Sequence, residues 1–114
     1  MDILDLQRRF IDELLKGVEG PWDRLDVHYE YFVWEGDAIV NYTSEAIEGQ
    51  NAREMELSFE ASSILRALHD CKPEAQAEPW TWLEFSLDKS GAYKFDYKYG
   101  VPPLAAEEIK YPDA

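Results

Sequence analysis

Catalysis or metal binding in this chain would fall to two histidines, one cysteine and 24 carboxylates. His69 and Cys71 form an H-x-C spacing, but residues two apart on a helix point to different sides. No further Cys or His pair completes a zinc site. The plainer reading is a surface histidine and a small core cysteine that has no internal disulfide partner. Among the carboxylates, Glu54, Glu56 and Glu60 are close enough in sequence to approach one another. Glu84 and Asp96 would face each other across a hairpin. A hydrolase working through such a pair needs both in a cleft, with their pKa values pushed apart. A solvated acidic face accounts for the same residues without chemistry. No glycine-rich phosphate loop, calcium loop or nucleophile elbow occurs. The sequence calls for no catalytic residue, metal or cofactor.

Recognition is the other use of such side chains. The formal net charge is -13, from 24 acidic and 11 basic residues. That field repels nucleic acid and anionic membranes and draws in basic proteins. Four tryptophans and seven tyrosines must also be housed. Trp34, Trp80 and Trp82 are candidates for exposure, because Trp34 and Trp82 fall on the polar side of their strands. Aromatic anchors beside carboxylates suit a partner rich in Arg and Lys. The expected contact set is Trp82, Glu84, Trp34, Glu30 and Asp96. The competing reading is that these tryptophans only cap the sheet or pack under the carboxyl-terminal segment.

These residues need a sheet to carry them. Residues 80–99, WTWLEFSLDKSGAYKFDYKY, read as a β-hairpin. Leu83, Phe85 and Leu87, then Phe95 and Tyr97, alternate with polar residues, the period of a half-buried strand. Asp88-Lys89-Ser90-Gly91 makes its turn. Residues 25–34 alternate likewise, and Glu35-Gly36-Asp37 connects them to a strand at 38–43. The outer face ending in Phe32 and Trp34 is apolar enough to need a cover or a partner. Residues 44–52 read as a loop, and 53–59 as a weak edge strand. Residues 2–16 and 60–71 carry helical apolar spacing, with Asp2 and Ser58 as N-caps. Lys72-Pro73 closes the second helix and a polar stretch leads to Trp80. After Gly100-Val101-Pro102-Pro103, residues 104–110 form one or two helical turns. The fold class is α+β: one domain over 1–114, two layers, with a largely antiparallel four- or five-stranded sheet and two helices packed on one face. No stretch has the length of a membrane span and no signal-peptide pattern is present, so the expected location is cytoplasmic.

The pattern at 80–99, with Trp80, Leu83, Phe85, Gly91, Phe95 and Tyr97, resembles the YezG/EsaG group of bacterial antitoxin (immunity) proteins. The helix before it and Pro21-Trp22 leading into a Tyr-rich strand match the same layout. The resemblance implies a cytoplasmic protein that binds and neutralises a cognate toxin, often a nuclease, and implies no catalytic residues. A basic nuclease surface would complement the acidic charge. The alternatives are a small acidic adaptor or assembly protein, or a carboxylate-based metal-dependent hydrolase.

Overall fold

The computed structural model describes residues 2–71 and 79–109. The connection 72–78, where the second helix was expected to close, and the end of the chain from 110 lie outside them. Helix α1 (Ile3–Gly17) leads to strands β1 (Arg24–Trp34), β2 (Asp37–Glu48) and β3 (Asn51–Glu54). Helix α2 (Phe59–Asp70), strands β4 (Trp82–Asp88) and β5 (Tyr93–Lys98) and helix α3 (Pro103–Ile109) follow. The five strands form one antiparallel sheet in the order β3-β2-β1-β4-β5. The fold is α+β, as the alternation predicts.

Local sequence starts both long helices. The Asp2 carboxylate accepts from the Asp5 amide at 2.8 Å, and the Ser58 hydroxyl accepts from the Ala61 amide at 3.0 Å. Each satisfies an amide that has no partner within its helix. Leu6, Phe10 and Leu14 of α1 and Ala61, Ile64, Leu65 and Leu68 of α2 are buried at helical spacing. They meet Leu25, Val27 and Tyr29 of β1 and Leu83, Phe85 and Leu87 of β4 in one core. Phe10 lies edge-on to Phe85, with ring centres 5.1 Å apart. The His69 ring of α2 lies 4.3 Å from that of Tyr31, centre to centre, and the Arg66 guanidinium lies over the same Tyr31 ring. Trp80, read from the sequence as a candidate for exposure, is core, 4% exposed, between Tyr29, His69 and Tyr97.

Two segments depart from expectation. Residues 44–52 are not a loop: β2 continues to Glu48, turns at Gly49-Gln50 and returns as β3. The inward positions there are Ser44 and Ala46, too small to mark an apolar alternation, yet both are buried. Of the edge strand expected at 53–59 only Arg53 and Glu54 lie in a strand, the end of β3; Met55 to Ser58 are irregular, and Phe59 is the first residue of α2 and is 81% exposed.

A polar clamp joins the turns of the two hairpins, whose relative orientation is set by the β1–β4 ladder. The Asp23 carboxylate accepts from the Gly49 amide at 2.7 Å and from Lys89 Nζ at 2.9 Å. The Lys89 ammonium and the Gly49 amide hold that carboxyl below its ordinary pKa. Turns β2–β3 and β4–β5 are thereby tied to the start of β1. β1 and β4 pair antiparallel from Arg24↔Asp88 to Glu30↔Trp82, so their polar residues share one face.

Candidate functional site

That shared face is the candidate site. Register places Thr43, His28, Glu84 and Asp96 in one row across β2, β1, β4 and β5. The next row toward the open end of the sheet is Asn41, Glu30, Trp82 and Lys98. The row on the other side is Glu45, Asp26, Ser86 and Lys94. Trp82, Glu84 and Asp96 therefore adjoin one another, as the expected contact set requires. Trp34 stands two rows beyond Trp82, near the tip of the β1–β2 hairpin, where its ring stacks on Phe32 at 6.1 Å.

Glu30 requires a correction. The sequence reading makes it a surface contact, but the structure buries it completely. Its two oxygens accept from the backbone amides of Leu104 and Ala105, each at 2.9 Å. These are the first free amides of α3. Pro102 and Pro103 before them carry no N–H, and Ala106 already donates to the Pro102 carbonyl. One carboxylate and two prolines thus account for every amide the start of this helix would otherwise leave unpaired. α3 consequently docks on the face opposite the α1/α2 core and adds a partial third layer to the expected two.

The sequence reading also missed His28. Its Nε2 lies 2.6 Å from Glu30 and its Nδ1 lies 2.6 Å from Glu84, with the side chain only 14% exposed. Burial works to lower the imidazole pKa, but the hydrogen bonds to Glu30 and Glu84 outweigh it and the pKa is raised. An imidazolium donating both N–H groups satisfies both carboxylates at once. The alternation of His28 and Glu30 on one strand face was a legible signal. Glu84 and the α3 amides were not, because each lies far along the chain.

A raised histidine pKa has a definite sign in stability. The bridge is fully formed below the unfolded histidine pKa of about 6.5. Its contribution is lost as pH rises through the higher folded value. The expected result is a denaturation midpoint that falls from neutral into mildly alkaline pH. His28→Asn should flatten that slope. The same slope in both proteins would place its origin outside the bridge.

Both His28 nitrogens and both Glu30 oxygens are engaged. Among the described residues, no group of three or more His, Cys, Asp or Glu side chains is placed to hold a metal ion. His69 is a packing residue, and Cys71 is the C-cap of α2, partly buried against the core. Glu54 and Glu56 line a groove with Glu45, whereas Glu60 sits in the first turn of α2 and is not among the lining residues. Among the described residues, no helix is long and apolar enough to cross a membrane.

The site is thus a sheet face of paired charges beside Trp82, with its helix clasp. Residues 26–101 match the profile of the family described as "Immunity protein YezG-like", and no curated protein matches the chain. The match runs from Asp26 within β1 through β5 to Gly100-Val101, well over half of the 114 residues. The fold elements that carry this face are the ones the family profile spans, and the chain belongs to the YezG-like family of immunity proteins.

Proposed function

We propose that this immunity protein works in the cytoplasm by binding a cognate toxin whose working surface is basic, in the first instance a nuclease domain. The observation that carries the reading is the net charge of -13, in a chain whose sheet face sets Trp82 beside Glu84 and Asp96. A nuclease must hold a polyanion, so the surface it offers an inhibitor is positive. Trp82, Glu84 and Asp96 form the centre of the proposed contact and Trp34 its rim. Glu30 acts beneath them, holding α3 and His28 in place. Inhibition requires occupancy and no chemistry, and the protein supplies no catalytic group to it.

The test is co-expression with the toxin domain encoded beside this gene, followed by co-purification and a nuclease assay. The expected result is a stable complex that no longer cleaves nucleic acid. Association should be fast at low salt and slow by roughly tenfold or more once the field is screened within ~8–10 Å. A partner that does not act on nucleic acid, or an on-rate indifferent to salt, would overturn the nuclease reading.

A further inference from the structure

The outer half of β2 is an open strand edge. β2 has 12 residues, but β3 has 4 and pairs only with Glu45–Glu48. From Asp37 to Thr43, β2 has β1 on one side and no described strand on the other. The direction of its backbone groups follows from one bond. The Met55 amide donates to the Ser44 carbonyl at 3.0 Å, so Ser44 faces outward. Alternate residues of an antiparallel strand turn the same way. Ala38, Val40 and Tyr42 therefore present both N–H and C=O along the edge, and Val40 and Tyr42 are each 47% exposed.

Sheet edges are normally guarded by charge, proline or brevity. At the opposite margin β5 is so guarded, by Lys94, Asp96 and Lys98. β3 is guarded by its shortness. The Asp37–Thr43 stretch, DAIVNYT, carries one charge at its first residue, no proline and four good strand formers. Where this edge ends, a groove of about 350 Å³ opens between Tyr42, Met55 and the carboxylate-bearing Glu45, Glu54 and Glu56. No cationic side chain is among the described residues that line it. An arginine or lysine could lay its stem on Tyr42 and Met55 and its head among the glutamates.

We infer that the Asp37–Thr43 edge docks an extended basic segment of a protein partner, which adds as a strand beside β2 and places a cationic side chain in this groove. Strand addition draws its affinity from main-chain hydrogen bonds and its specificity from side-chain pockets. A second copy of this chain is a poor occupant, because it would bring another -13 and its own glutamates against the same groove. The identity of the partner as a toxin rests on the proposed function; the edge itself does not.

The test uses a synthetic heptapeptide alternating lysine with threonine, isotope-labelled protein and amide exchange read by NMR. The peptide should slow exchange at Ala38, Val40 and Tyr42. Val40→Pro removes an outward N–H while leaving the β1–β2 ladder whole, a substitution that sheet edges tolerate. It should weaken peptide binding by roughly tenfold or more. The paired reversal Glu54→Lys with Glu56→Lys, made at exposed positions, should do the same without touching the edge backbone. Protection centred on β5 or on Glu84 and Asp96 would overturn the inference. So would unchanged binding by a folded Val40→Pro protein and by the charge reversal, or protection of the same amides by self-association without peptide. A co-purified toxin that binds wild type and Val40→Pro equally would sink the edge and leave the toxin reading. Peptide protection without any toxin complex would do the reverse.

Discussion

Glu30→Ala should cost about 3–5 kcal/mol of folding stability, the range for removing one member of a buried, hydrogen-bonded charged network. The substitution leaves the Leu104 and Ala105 amides without acceptors and takes one of two carboxylates from His28. α3 has 7 residues, too short to persist unless docked. The loss is large beside the ~5–15 kcal/mol that holds a domain of this size folded. Glu30→Gln keeps the shape but sets an amide donor against donors, and should cost about 1–3 kcal/mol. Urea midpoints measure both, with the exposed Glu107→Ala as control. Amide exchange at 104–109 should accelerate in Glu30→Ala before the core opens. A midpoint no lower than that of the control would mean that α3 is held by something other than this carboxylate.

Trp82→Ala should weaken toxin binding by about 2 kcal/mol or more, the threshold of an interface hot spot. That corresponds to a roughly thirtyfold rise in Kd. Trp82 is half-buried at the first position of β4, between Glu30 and Lys98 in register. A half-buried indole offers apolar area with few rotatable bonds to immobilise, and Glu84 and Asp96 nearby offer charge to a basic partner. The effect should lie mainly in the off-rate. A charge reversal tests steering better at Asp96 than at Glu84. Glu84 also holds His28, so its reversal mixes recognition with stability, whereas Asp96 pairs only with the partly exposed Lys98 at 3.5 Å among the described ion pairs. Asp96→Lys should slow association and leave dissociation nearly unchanged. Surface-immobilised kinetics separate the two rates, with circular dichroism as the folding control. Wild-type kinetics in both variants would remove this face from the interface.

Sequence by itself determined what is local or periodic. Alternation of period two placed β1, β4 and β5 and their inward faces, because neighbouring side chains on a strand must point oppositely. Asp2 and Ser58 were legible as caps because each reaches an amide three residues ahead. Gly91, at φ 99°, sits where the β4–β5 turn needs the left-handed conformation that glycine allows. The family resemblance rested on this same hairpin. Tertiary structure alone decided the rest. The sequence left open whether the two hairpins lie side by side, and the antiparallel pairing of β1 with β4 is what puts Glu84 beside His28. Glu30 looked like any outward residue of β1. It is buried because a helix 74 residues further on has two prolines and no capping side chain of its own at its start. Trp80 is core because three rings from separate elements close around it. The second half of β2 was invisible because Ser44 and Ala46 are small, and their burial follows from what packs over them.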